Sequence, residues 1–157
     1  MWAGSSSSSA DEWVELKNTT THGIELSGWT VENLGNSTIL DAILPESTIS
    51  AQGYFLISHW RKDNSVLNID PDFTFPSMNL SNGGEQLVLK DTKDTVIDAA
   101  NDTNSWFEGD SVNPKKSMSR TDPPGDGTLF ENWFTSTGSA NLDSEAIEQA
   151  TPKSANY

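Results

Sequence analysis

The stretch Glu12-Trp13-Val14-Glu15-Leu16-Lys17-Asn18 constrains the chain most, because successive side chains of an extended segment point to opposite faces. Val14 and Leu16 share one face, and Trp13, Glu15 and Lys17 share the other, which predicts a half-buried strand. Ile24 and Leu26 alternate in the same way, Ser27-Gly28 carries turn chemistry, and Trp29 and Val31 resume the alternation. Together these segments predict the seed of a β-sheet core.

The same reading extends along the chain. Gly4 to Ala10 holds five consecutive serines and predicts a flexible connector, with Met1 to Ala3 as the remnant of an earlier strand. Leu34-Gly35-Asn36-Ser37 reads as a hairpin turn and Thr38-Ile39-Leu40-Asp41 as its returning strand. Tyr54-Phe55-Leu56-Ile57 is short, aromatic and branched, as a central strand buried on both faces would be. His59 to Pro76 is irregular and predicts a surface excursion. Glu85 to Lys90 and Thr95 to Ala100 read as a hairpin, Ser117 to Arg120 as a short edge strand, and Asp122-Pro123-Pro124-Gly125-Asp126-Gly127 as irregular. Asp143 is placed to cap a short helix running through Gln149. Many short strands between turns, without long amphipathic helices, predict an all-β fold, an immunoglobulin-like antiparallel β-sandwich. Residues 1–157 then form a single domain, with 1–10 flexible and 138–157 mostly irregular.

Composition narrows the function. There is no cysteine, so disulfides, thiolate metal sites and cysteine nucleophiles are excluded. The 23 acidic and 9 basic residues leave a formal net charge of -14, which repels phosphate backbones and argues against a nucleic-acid partner. No apolar run approaches the roughly 18 residues that span a bilayer, so membrane insertion is not expected. Met1-Trp2-Ala3-Gly4 lacks the basic and apolar stretches of a signal peptide, and the chain is expected to be a piece of a larger protein.

With the strands placed, the chain resembles the lamin-tail-domain family, particularly its bacterial members. The resemblance rests on Met1-Trp2 with Gly4 and the serines, on Asp11 to Asn18 and on Ile24 to Val31. It continues through Ile49 with Gly53 to Ile57, Asn82 with Gly84-Glu85 and Leu87-Val88-Leu89, and Val96-Ile97-Asp98. Ser117 to Arg120, Asn132-Trp133 and the ending from Thr151-Pro152 to Asn156 complete it. Lys17 stands where the family usually carries an aromatic, Asp94 where a glycine is common, and Lys153-Ser154 where the ending is glycine-rich. The resemblance implies that a first strand belongs before Met1. It also implies a non-catalytic interaction module of secreted and surface proteins, hence an extracellular or cell-surface location. The chromatin role of the lamins does not transfer, because so acidic a surface lacks a basic patch.

Residues with chemistry to offer are few. His22 and His59 stand outside any motif, and no G-x-S-x-G, P-loop or H-E-x-x-H is present. Glu12 and Glu15 fall on opposite faces of one strand, which does not suit a glycosidase pair. No enzyme is expected, and no cofactor is required. Calcium, which takes hard oxygen ligands, has two candidate places: Asp122 with Asp126 around Pro-Pro-Gly, and Asp70 with Asp72, near Asp63 and Asn64, in the excursion. Trp13, Trp29 and Trp133 read as packing residues. Trp60 and Trp106 sit among charged or polar loop residues and are candidates for stacking on a sugar or anchoring a protein. The sequons at Asn18, Asn36, Asn79 and Asn101 are assigned no function. The sequence therefore predicts a non-enzymatic structural or protein-interaction module, monomeric as an isolated domain, with an unidentified protein or glycan partner. A carbohydrate-binding module is the alternative, followed by an accessory targeting domain of an extracellular hydrolase or nuclease.

Overall fold

The computed structural model describes residues 3–157; Met1 and Trp2, the bulk of the expected strand remnant, lie outside the described residues. Eleven strands follow one another in the described chain. They are β1 (Trp13–Lys17), β2 (Ile24–Glu25), β3 (Thr30–Glu32), β4 (Ala42–Ile43), β5 (Thr48–Ile49) and β6 (Tyr54–Ser58). Then come β7 (Phe73–Thr74), β8 (Leu87–Lys90), β9 (Val96–Ala100), β10 (Met118–Arg120) and β11 (Trp133–Thr135). Among the described residues no helix is long and apolar enough to cross a membrane.

The strands build the two layers of an immunoglobulin-like sandwich. One sheet has the order β1-β6-β7 and the other β4-β3-β8-β9, with β2-β5 and β10-β11 as separate pairs. All pairs are antiparallel except β6 with β7. The alternation read from the sequence decides which side chains meet. Phe55 and Ile57 of β6 face Val31 of β3, Leu87 of β8 and the buried Leu26, Leu34 and Leu44, with Val14 and Leu16 packed against them. Burial of each such side chain contributes about 1.5–3 kcal/mol. As expected, β6 is the central strand of its sheet, and Phe55, Leu56, Ile57 and Ser58 are all buried.

Leu56 and Trp13 point the opposite way, yet they too are buried. They form a second apolar cluster with Leu67 and Ala150, flanked by Ile69 and Leu142. The outer face of this sheet is therefore roofed by the 59–76 excursion and by the C-terminal segment. The outer face of the four-stranded sheet carries a different set. Ile43, Thr30, Lys90 and Val96 lie in one cross-strand row and Glu32, Val88 and Ala99 in the next.

Three local expectations are corrected. Thr38 to Asp41 is not a strand: the Asn36 carboxamide accepts bonds from Thr38 and Ile39 N–H, and Gly35 N–H donates to Leu40 O. Asparagine competes for the backbone in this way wherever a turn is available, and pairing with β3 is deferred to Ala42–Ile43. Asp143 to Gln149 forms no helix. Only one turn closes, from Ala146 N–H to Asp143 O, after which Gln149 N–H donates to Lys115 O and Gln149 O accepts from Ser117 N–H. A segment with so few apolar positions has no face to dock as a helix, so its main chain bridges to the residues just before β10 instead. The serine-rich segment, expected to be flexible, folds as a compact turn. Ser5 N–H donates to Ser8 O, and the Ser5 hydroxyl accepts from Ser7 and Ser8 N–H.

Candidate functional site

The roof of the β1-β6-β7 sheet is fastened by carboxylates that accept main-chain bonds between strands and irregular segments. Asp11 takes Val66 N–H at 2.9 Å and the Ser65 hydroxyl at 2.5 Å. Glu15 takes Lys153 N–H at 2.5 Å, and Asp72, on the excursion itself, takes Leu56 N–H of β6 at 2.7 Å. On the inner face Glu12 takes Leu80 N–H at 3.0 Å. Glu148 takes Ser6 N–H at 2.5 Å. Loops that cross a buried face leave donors that water does not reach, and charged acceptors are the strong way to satisfy them. The placement has a consequence for titration. Burial pushes the Glu12 carboxyl up to about 7 against the opposing Leu80 bond, and the Glu15 carboxyl up to about 7 against the Lys153 bond.

A cleft of about 500 Å3 opens between β1 and β10. Its floor is apolar, formed by Leu16, Ile24, Trp29 and Leu89 of the sandwich. Charged pairs stand at its rim. Lys17 Nζ lies 2.8 Å from Asp122, whose bond raises the lysine's pKa, and Arg120 lies 3.2 Å from Asp98. The Arg120 guanidinium also covers the Trp133 ring at 4.9 Å and donates to Gly125 O. Asn156 Nδ2 donates to Arg120 O at 3.0 Å, so the chain ending reaches the cleft's far wall.

The sequence-predicted site residues are scattered over the molecule and fall into no single site. Trp106 packs against the main core and donates its indole N–H to Ser81 O at 2.6 Å. Trp60 is half-buried and tilted against His59, with ring centroids 4.3 Å apart. His59 Nδ1 donates to Met78 O at 3.0 Å, since a carbonyl can only accept, and His22 is exposed. Each candidate calcium ligand has an internal partner. Asp122 pairs with Lys17, Asp70 with Lys62 at 3.3 Å, and Asp72 with Lys153 at 2.7 Å. Asp126 accepts Thr128 N–H and hydroxyl bonds, which hold its carboxyl below the usual range. Among the described residues no group of three or more His, Asp or Glu side chains converges as a metal would need.

Two asparagines carry more than the sequence suggested. Asn18 Nδ2 donates to His22, Ile49 and Ser50 carbonyls, and its Oδ1 accepts from Thr20. Asn101, fully buried at a φ of 66°, donates to Glu85, Asp102 and Ser105 carbonyls and accepts Phe107 N–H. Both looked like glycosylation sequons. The available signal was position, since each directly follows a strand, and Asn101 there takes the left-handed backbone that Asn tolerates.

The model of the Lamin Tail Domain family matches residues 2–104, which takes in β1 to β9 but not the β10-β11 wall of the cleft. No curated protein and no solved structure matches the chain. On the strength of that match, over a two-layer sandwich of the expected immunoglobulin-like kind, the chain belongs to the lamin tail domain family.

Proposed function

We propose that the chain is a non-catalytic structural or protein-interaction module of a larger secreted or surface-attached bacterial protein. One observation carries the reading. The buried Asp11, Glu12 and Glu148 and the half-buried Glu15 are engaged as acceptors for the main chain of neighbouring loops, in the manner of fastenings. Membership of a family of non-catalytic immunoglobulin-like domains supports it. Carbohydrate binding is a second reading, favoured by the half-buried Trp60 indole beside His59.

The test is to present the purified domain to an array of secreted and surface proteins and, separately, to a glycan array. Saturable binding to a protein, with none to polysaccharides, is expected. Saturable glycan binding that Trp60→Ala abolishes would replace the first reading by the second, and binding on neither array would sink both.

A further inference from the structure

Leu129 and Phe130 stand at the tip of the loop between β10 and β11, 44% and 55% exposed, and Phe130 is the one exposed phenylalanine among the described residues. An exposed apolar side chain by itself needs no explanation. This loop differs because its main chain is tied at nearly every step. Asp126 Oδ1 accepts Thr128 N–H at 2.9 Å and the Thr128 hydroxyl at 2.7 Å, and Asp126 O accepts Leu129 N–H at 3.2 Å and an Asn132 Nδ2 proton at 2.8 Å. Phe130–Asn132 closes a 3-10 turn in which Asn132 N–H donates to Leu129 O. The loop is also moored to the body of the fold. Gly127 O accepts Asn101 N–H and the Trp133 indole N–H, both at 2.9 Å, and a methyl group at Gly127 would collide with Ala99 O and the Arg120 side chain. The Phe130 ring meets Phe107 edge-on with centroids 6.1 Å apart, which fixes its direction. Two apolar side chains are thus held out to solvent on a rigid turn. Groups ordered before association lose little entropy when a partner covers them, which is what an anchor residue needs.

The charge around the tip selects the partner. Glu131, next in the chain, and Asp126 are both exposed. Segments 94–114 and 121–149, which supply Phe107 and Phe130, contain no Lys, Arg or His. Arg120, at the base of the loop, is already engaged by Asp98 at 3.2 Å, by Gly125 O and by the face of Trp133. An anionic surface would approach carboxylates on a chain of net charge -14, and a second copy of the chain would bring the same charges face to face. A surface ringed by lysine or arginine meets Glu131 and Asp126 with the opposite sign.

We propose that the Leu129-Phe130 tip docks against an apolar surface ringed by Lys or Arg on a partner protein. The proposal rests on the interaction-module reading and names where the partner sits and what its surface carries. The probe is a synthetic amphipathic helix with a leucine face bordered by lysines, titrated into the isotope-labelled chain and followed through amide chemical shifts. Shifts are expected to centre on Leu129, Phe130 and Glu131. The same helix with glutamate in place of lysine, or with alanine in place of leucine, is expected to bind at least about tenfold more weakly. Phe130→Ala removes an exposed ring and none of the turn's hydrogen bonds, and Glu131→Lys keeps the ring and reverses the charge. Each is expected to weaken binding by about tenfold or more, whereas Ile43→Ala on the outer face of the other sheet is expected to leave it unchanged. No binding by the leucine–lysine helix, shifts centred on Ile43 and Val96, or equal binding by a control helix or by Phe130→Ala would overturn the proposal. A protein partner from the array whose affinity survives Phe130→Ala would overturn it too, while leaving the interaction-module reading standing.

Discussion

The outer face of the β1-β6-β7 sheet and the outer face of the β4-β3-β8-β9 sheet start from the same period-two alternation and finish in opposite environments. On the first, Trp13 is 6% exposed and Leu56 is fully buried, because the excursion and the C-terminal segment lie over them. On the second, Ile43 and Val96 stand 67% and 57% exposed, with the Lys90–Glu32 ion pair, 2.5 Å long, crossing the middle. The roofed face holds its loops through buried and half-buried carboxylates, and the bare face carries a half-buried ion pair. Alternation thus states which residues share a face and is silent on what will cover it.

The contrast is open to measurement. Leu56→Ala leaves a hole under the roof and is expected to lower stability by about 2–5 kcal/mol, whereas Val96→Ala on the bare face is expected to change it by less than about 0.5 kcal/mol. Urea unfolding of the two variants compares them directly, and equal losses would remove the distinction between the faces.

The next effect is in pH. Glu12 and Glu15 titrate near 7 in the folded chain against an ordinary 4.5. Between those values the folded state keeps protons that the unfolded state has released, so their contribution is fully present below about 4.5 and is lost as pH rises through about 7. Melting measured from pH 5 to pH 8 is expected to show a fall of about 1–3 kcal/mol from this source. Glu15→Gln keeps an acceptor for Lys153 N–H and is expected to flatten the profile. A profile superimposable on that of the parent chain would show that Glu15 does not titrate beneath the roof.

Smaller effects belong to the bare face. Glu32→Gln breaks the Lys90 pair and is expected to cost about 0.2–1 kcal/mol, shrinking further in high salt as a pair within reach of solvent should. A loss unaffected by salt would mean that this face is more sheltered than its exposed side chains indicate. Asp94 turns the β8-β9 hairpin at a φ of 64°, so Asp94→Gly is expected to stabilise by no more than about 1 kcal/mol, read from the unfolding midpoint. A destabilisation would show that the Asp94–Lys90 contact at 4.0 Å outweighs the relief of backbone strain.

Much of the sandwich was legible because its strands carry their own code. Val14 and Leu16 inward, β6 central, the β8-β9 hairpin and the Met118–Arg120 edge strand all follow from side-chain period and turn residues, which are local properties. The family's glycine positions were legible as departures too: Asp94 and Lys153 both adopt the left-handed backbone that glycine takes at no cost, at φ of 64° and 53°. The site was far less legible. Trp106 looked like a loop aromatic, and its indole N–H in fact reaches Ser81, 25 positions away. Glu15 looked like a solvated outward residue until Lys153, 138 positions away, was laid over it.

What the sequence determined by itself is the order of strands and the face each side chain takes, because a two-residue period and a turn residue act within a few positions of the chain. What only the tertiary structure decided is which face is roofed, which carboxylates are buried, and that the edges of β1 and β10 stand across one cleft. Those outcomes depend on contacts between segments more than a hundred residues apart, such as Lys17 with Asp122 and Ser6 with Glu148. Such contacts form only where packing of the whole chain makes the burial of each donor and acceptor cheaper than its hydration.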